Sequence, residues 1–384
     1  MPSDLLYISP FVRTRSVGGR QVYYCADPAV TASEQRAVVR TDAVDRIMAA
    51  FREGANPEAV AVGSDAVRDT RATIEELRTL GFLRLWSEHR EPEPSIELEV
   101  TGLCNADCVM CPRDQLRAQG QMTEEVFEGV LGLVARHARR GVIIQGIGEP
   151  TLHRSLAAWV RRLREAMPQA PVIVVTNGIR MDGQLYAELI DAGVTKVQWS
   201  MHSLDLGIAE EVFRTPQIGR AFTNIEECLR INPDRLQVNF VLMDNTQDEL
   251  SHVRAWLAER GLDARMVRVI PVFSRGGTVD TSMLFSKIHR PAQAPCVYVR
   301  KSIFVAWNGD VLPCSNDIEG AHPYAHVLEN GPAEIVRRWQ EQLASSNVAF
   351  EMCRQCDHHS RDSVGTAWLQ ARHAAIGAPA REDA

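Results

Sequence analysis

Between residues 95 and 272 the chain alternates short apolar runs with longer amphipathic stretches. The runs are SIELEV, GVIIQG, PVIVVTNG, KVQWSMHS, LQVNFVLMDN and ARMVRVIPV. Each holds β-branched or aromatic residues and predicts a strand. Between them lie TEEVFEGVLGLVARHARRG, SLAAWVRRLREAM, DGQLYAELIDAG, GRAFTNIEECLRI and TQDELSHVRAWLAERG, which predict helices. Thr123 is placed to cap the first helix ahead of two glutamates, and Thr246 with Glu249 forms a capping-box pattern at the last. This alternation predicts parallel β-α-β units with right-handed crossovers. Six repeats stop short of an eightfold closure. The expected fold class is therefore α/β, a partial (β/α)6 barrel over residues 95–280, with functional loops at the C-terminal ends of its strands.

The flanks follow other patterns. Residues 1–87 read as a separate domain. Two apolar-rich runs around Gly18-Gly19 suggest a hairpin, and Val44, Ile47, Met48 and Phe51 share a helical face closed by Gly54. Asn56 and Pro57 form a helix start, and Val67, Ile74, Leu77 and Leu80 mark a third helix ending at Gly81. With the closing GFLRLW, this order suggests a winged-helix-like unit. The charged, proline-bearing EHREPEP at 88–94 reads as a linker. Residues 281–360 form a small C-terminal domain and 361–384 a tail.

Composition excludes several classes. The 384 residues are 45% apolar and 24% charged, with a net charge of −7. No basic block offers a surface for phosphate backbones, which argues against a nucleic-acid partner. No run approaches the roughly 18 apolar residues of a membrane span, and MPSDLLYISPFVRTRSVGG lacks the basic and apolar regions of a secretory signal. A reducing cytoplasm is the expected compartment, where clustered cysteines read as metal ligands before disulfides.

Seven of the nine cysteines form two groups. Cys104, Cys108 and Cys111 lie in the loop after the first predicted strand, spaced C-x3-C-x2-C. A structural zinc site needs four protein ligands, so zinc here requires a remote fourth. An iron–sulfur cluster binds thiolates at separate irons, and three thiolates leave one iron of a four-iron cluster open to another ligand.

The motif C104-N-A-D-C108-V-M-C111, at the end of the first strand of a partial barrel, resembles the signature of the radical S-adenosylmethionine (SAM) superfamily over about residues 96–275. The resemblance implies that SAM chelates the open iron of a [4Fe-4S] cluster through its amino and carboxylate groups. It also implies that one-electron reduction yields methionine and a 5′-deoxyadenosyl radical, with the protein orienting the cofactor chemistry. QGIGEP at 145–150 is similar to the family's G-G-E motif: Gly146 and Gly148 would let backbone approach the ligand, and Glu149 would accept from the SAM ammonium. Ser200 matches the family's contact to the SAM carboxylate or ribose, and Arg214 the arginine held for that carboxylate. Thr176 and Asn177 end the third strand at the same rim. Met110 stands where many members carry an aromatic, placed to pack on the adenine.

The second group is Cys296, Cys314 and the pair Cys353/Cys356, with G-x4-C before Cys314. It resembles the shortened SPASM, or twitch, module of radical SAM enzymes, implying one auxiliary [4Fe-4S] cluster held by four cysteines; four thiolates with a C-x2-C knuckle also suit zinc. His322, His358 and His359 read as solvated loop residues and Cys25 as core. Cys228 shares a helical face with Ile225 and Leu229, which favours burial; its sharper reading is a hydrogen-atom donor to a substrate radical.

For such an enzyme the expected substrate is a ribosomally made precursor peptide. The N-terminal unit resembles the peptide-recognition domain of peptide maturases, where a leader peptide adds a strand to a sheet edge. The alternatives are a dehydrogenase or epimerase of a small metabolite such as an aminocyclitol or sugar, and, in another class, a DNA-binding iron–sulfur sensor, which the acidic balance disfavours. A flavodoxin or ferredoxin is the expected one-electron donor.

Overall fold

The computed structural model describes residues 6–8, 12–17, 20–25, 37–51, 55–64, 66–80, 82–85, 94–112, 118–138, 140–279, 299, 301–344 and 350–357. Gly18, Gly19, Gly54, Gly81, nearly all of the expected linker, Cys296, His358, His359 and the tail lie outside them, as does the side chain of Cys25. The chain divides into two compact units, Met1–Pro92 and Glu93–Ala384. Among the described residues, no helix is long and apolar enough to cross a membrane.

In the first unit, β1 (Leu6–Ile8) pairs antiparallel with β5 (Leu83–Leu85). The strands β2 (Val12–Val17), β3 (Arg20–Cys25) and β4 (Ala37–Val39) form an antiparallel meander in the order β2-β3-β4. Val17 pairs with Arg20 at one end of the antiparallel β2–β3 register, and Val12 with Cys25 at the other. Three helices follow. In α1 (Asp42–Ala50) Thr41 accepts from the Val44 amide at the N-terminus. In α2 (Pro57–Val62) Asn56 accepts from the amides of Glu58 and Ala59. The third, α3 (Val67–Thr79), lays Ile74 and Leu77 into a core with Leu6, Val44, Ile47, Met48, Phe51 and Phe82. The pattern missed β4, whose three residues are too few to show alternation.

The second unit holds the six predicted strands: β6 (Ser95–Leu98), β7 (Val142–Ile144), β8 (Val172–Thr176), β9 (Lys196–Ser200), β10 (Leu236–Leu242) and β11 (Val267–Pro271). They pair parallel in chain order, each with its successor. The five predicted helices are α4 (Glu124–His137), α5 (Leu156–Ala166), α6 (Gly183–Asp191), α8 (Gly219–Ile231) and α9 (Glu249–Glu259). Their apolar faces join one core with the strands; Phe127 stacks on Trp159 with ring centroids 4.2 Å apart. Thr123 caps α4 as expected. The capping box at α9 does not form. Thr246 is buried and ties the β10 turn together, its hydroxyl donating to the Val241 carbonyl and accepting from the Met243 amide. The Glu249 carboxylate instead accepts from Ser203 and the Leu204 amide.

Two features were absent from the pattern. One is α7 (Leu206–Phe213), a two-turn helix opened by Asp205. The other is β12 (Ser302–Val305), which pairs parallel with β6 on the side away from β7. It is followed antiparallel by β13 (Asp310–Leu312) and β14 (Ala325–His326). The C-terminal segment thus continues the barrel sheet.

Phe51 is fully buried in the first unit's core, whereas Val39 on β4 is 43% exposed. Phe51→Ala should lower the calorimetric stability of that unit by about 3–5 kcal/mol. Val39→Ala should stay within about 0.5 kcal/mol.

Candidate active site

The segment after β6 carries Cys104, Cys108 and Cys111 and is held by backbone bonds on three sides. The Glu149 amide donates to the Leu103 carbonyl at 2.8 Å, and the Gly102 amide to the Gly120 carbonyl at 2.8 Å. The amides of Asp107 and Val109 donate to the carbonyls of Phe213 and Val212 at 3.1 and 2.9 Å. Those carbonyls end α7 and have no partner within the helix, so the overlooked helix and the cysteine loop satisfy each other. Trp307, in the β12–β13 turn, lies over Gly120 and donates to the Ala118 carbonyl at 3.2 Å.

All three cysteines line one cavity of about 350 Å³. All three are partly exposed. No fourth cysteine lines that cavity among the described residues. Gly146, Gly148, Glu149, Thr176, Asn177, Ser200 and Met110 line it as well. These residues fit a [4Fe-4S] cluster with one iron left for a ligand other than protein: three soft donors come from one loop and hydrogen-bonding groups surround them. Among the described residues no three His, Cys, Asp or Glu side chains gather as ligands of one ion. A four-iron cluster does not require that, since each thiolate binds its own iron.

The glycines also have a packing role. A Cβ at Gly148 would overlap the Thr101 carbonyl, and one at Gly146 would stand 2.5 Å from Cγ of Glu99. Their bareness lets the β7 turn pack on the cysteine loop and β6. Glu149 is buried and accepts from the Thr176 hydroxyl at 2.6 Å, the Thr151 hydroxyl at 2.7 Å, the Asn177 amide at 2.8 Å and the Thr151 amide at 3.2 Å. Three of these donors converge on Oε1 and one reaches Oε2, so the carboxylate joins two strand ends. Burial raises its pKa, opposed by those donors. The Asn177 carboxamide reaches the loop itself, donating to Asn105 Oδ1 at 2.7 Å and approaching Cys104 Sγ at 3.9 Å. Burial and, next, the neighbouring Cys104 and Cys111 charges push the Cys108 thiol up, while Arg275 acts the other way. Iron binds the thiolate, so loading the site releases the thiol protons.

Arg214 ends α7 in the left-handed region, with φ of 49°, and is exposed. It is not among the residues lining the cavity, whereas Arg268 and Arg275 are. Cys228 is fully buried, donates to the Met181 carbonyl at 3.6 Å, and is pushed up to about 12 by burial. It too is absent from the cavity lining. The sequence pattern did not single out Glu97, Gln198 and Asn239 on the strands or Gln145 directly after β7, which line the cavity floor. Polar side chains within otherwise apolar strands were the available signal. His202, also overlooked, stacks on Phe213 at 5.0 Å and accepts from the Val241 amide through Nδ1 at 3.1 Å.

Of the second cysteine group, Cys314 follows β13, and Cys353 and Cys356 lie on or beside the short helix Glu351–Gln355. His322 is not solvated: it is partly buried, with Nδ1 3.3 Å from the buried carboxylate of Asp317.

Two outcomes follow. Gly148→Ala should displace the cysteine loop and lower the iron bound per chain after reconstitution by about half, the share of one of two four-iron clusters. Burial drives His202 down to about 4, below the roughly 6.5 of a free histidine. As pH falls from about 6.5 toward 4, the unfolded chain binds a proton that the folded chain resists, so stability falls by up to about 3 kcal/mol. Denaturant titrations should show that slope, and His202→Asn should flatten it.

The profile of the Radical SAM superfamily matches residues 98–257, and that of the iron–sulfur cluster-binding SPASM domain matches 296–357. A GTP 3′,8-cyclase of Paenarthrobacter nicotinovorans is 26% identical over 195 residues, 49% of this chain and 54% of that protein. The chain thus spans about half the length of that curated relative. Among solved structures, anSMEcpe with bound S-adenosylmethionine matches with a TM-score of 0.52 at 14% identity, over 76% of this chain and 97% of that one. Streptococcus suis SuiB bound to precursor peptide SuiA matches at 0.50 and 10% identity, over 90% of this chain and 89% of that one. At these identities the likeness is one of fold. S-adenosylmethionine and [4Fe-4S] clusters are the cofactors of these domains. The three-cysteine loop falls within the first of these matches and Cys314, Cys353 and Cys356 within the second, and the chain accordingly carries a Radical SAM domain followed by a SPASM iron–sulfur domain.

Proposed function

We propose that this enzyme reductively cleaves S-adenosylmethionine and uses the resulting radical to modify a ribosomally made peptide. The observation that carries the chemistry is the set of three thiols facing one cavity without a fourth. In this reading Cys104, Cys108 and Cys111 hold one [4Fe-4S] cluster and Cys296, Cys314, Cys353 and Cys356 the auxiliary one. When bound, cluster and S-adenosylmethionine supply one electron to the sulfonium, giving methionine and a 5′-deoxyadenosyl radical that takes a hydrogen atom from substrate. The β7 turn, Thr176, Asn177 and Ser200 then orient S-adenosylmethionine at the rim. Arg268 and Arg275 replace the exposed Arg214 as cationic groups at the cavity.

The peptide half of the proposal rests on the first unit. Its antiparallel meander leaves β2 and β4 as sheet edges among the described residues, and three helices follow. An extended peptide binds such an edge through main-chain hydrogen bonds, with side-chain pockets adding selectivity. The SuiB match covers 90% of this chain and so extends into this unit. A flavodoxin or ferredoxin would deliver the electron.

A second reading, a small polar metabolite, is favoured by the cavity floor. Glu97 accepts from Gln145 at 2.8 Å and Ser302 at 2.7 Å. Asn239 donates to Gln198 at 3.2 Å, and its own buried Oδ1 has no partner. A hydroxyl- or amine-bearing ligand would satisfy that oxygen.

Three measurements decide. Replacing Cys104, Cys108 and Cys111 by Ala should abolish formation of 5′-deoxyadenosine from S-adenosylmethionine under dithionite while half of the iron remains; undiminished cleavage would overturn the chemistry. Two clusters require about eight irons per chain, whereas four irons with one zinc would reassign the C-terminal group. Removing residues 1–92 should leave cleavage intact and weaken binding of precursor peptides encoded beside the gene. No peptide binding by the full chain, together with turnover of an amino sugar, would establish the second reading.

A further inference from the structure

The turn after β11 bears on both cysteine groups. Arg275 lies in the left-handed region, with φ of 43°, a conformation that a side-chain-bearing residue adopts only when its surroundings hold it there. On one side its Nε donates to the Met110 carbonyl at 3.1 Å, between Cys108 and Cys111. On the other side Ser274 is locked onto the C-terminal segment. The Ser274 amide donates to Oδ1 of the fully buried Asp357 at 2.7 Å. The Ser274 hydroxyl donates to the Gln355 carbonyl and accepts from the Asp357 amide, both at 3.2 Å. A Cβ at Gly276 would stand 3.2 Å from the Asn316 carbonyl and 3.5 Å from Cβ of Met352. One turn therefore touches the three-cysteine loop and the immediate neighbours of Cys314, Cys353 and Cys356.

The charge on Arg275 is not neutralised locally. It forms no ion pair among the described residues, although it lines the cavity with Cys108 and Cys111. The two carboxylates in the same lining are occupied elsewhere, Glu97 with Gln145 and Ser302, and Glu149 with Thr151, Thr176 and Asn177. Arg268, the other cation there, sits on β11 opposite Asn239.

We propose that Arg275 is a positioning residue for the three-cysteine site, fixing the loop at the Met110 carbonyl and setting a cation beside the cluster so that its reduction is easier, with the C-terminal segment holding the arginine in place. This rests on the assignment of Cys104, Cys108 and Cys111 as cluster ligands. The step affected is the uptake of one electron from the external donor, with no bond made or broken. A cluster on three thiolates gains negative charge on reduction, and a nearby cation in a partly water-excluded site stabilises the reduced form.

The test is an EPR-monitored redox titration of the reconstituted full-length protein with dithionite, comparing wild type with Arg275→Gln and Arg275→Lys. A variant with Cys104, Cys108 and Cys111 replaced by Ala supplies the signal of the other cluster for subtraction. Arg275→Gln should move the midpoint of the three-cysteine cluster to lower potential and leave the auxiliary midpoint unchanged. Arg275→Lys, which keeps the charge, should stay near wild type. An unchanged midpoint in a fully loaded Arg275→Gln protein overturns the proposal, as does an equal shift in both variants. If only Arg275→Gln fails to load iron at the three-cysteine site, the need for a cation there is upheld; if both variants fail, the role is packing alone and the proposal falls. Failure of the underlying assignment has a different signature, the triple-Ala variant keeping both EPR signals and all its iron.

Discussion

The structure depends on how tightly the β7 turn seats against the cysteine loop. At Gly148 the backbone of one lies where any side chain would collide with the Thr101 carbonyl of the other, and the next amide, Glu149, donates to Leu103. That approach fixes the loop in register with the strand ends before any cofactor arrives. A loop carrying three thiols repels itself once they ionise, so its geometry has to be imposed by neighbours. The backbone supplies most of that constraint here, through the carbonyls ending α7 and the strand pairing of β6.

The same seating explains the buried glutamate. Glu149 carries charge into a region where burial penalises it, and four donors from two successive strand ends answer that cost. The carboxylate thereby locks the β7 and β8 termini together and aims Asn177 at the cysteine loop. Stability and site geometry rest on one network, so a change there would disturb both.

The C-terminal segment is part of the barrel's architecture. Its strand β12 pairs with β6, Trp307 covers the stretch that backs the cysteine loop, and Ser315 and Asn316 line the cavity immediately after Cys314. Whatever Cys314 binds is therefore one residue from the cavity wall. The turn at Ser274–Gly276 meets the backbone beside both cysteine groups.

Much of this was legible from the chain alone. Six apolar runs alternating with amphipathic stretches dictated a parallel α/β barrel, because strand and helix periodicities are local properties. The spacing of Cys104, Cys108 and Cys111 specified three soft donors on one loop, since all three lie within eight residues. Thr123, Asn56 and Pro57 announced their helix starts for the same local reason. Tertiary structure decided what depends on distant partners. It took Thr246 from a helix cap to a turn brace, turned Gly146 and Gly148 toward packing, and left Arg214 on the surface while bringing Arg275 to the cavity. It also joined β12 to β6 across some two hundred residues. Such pairings are long-range choices among many sterically allowed neighbours, and no local periodicity encodes them.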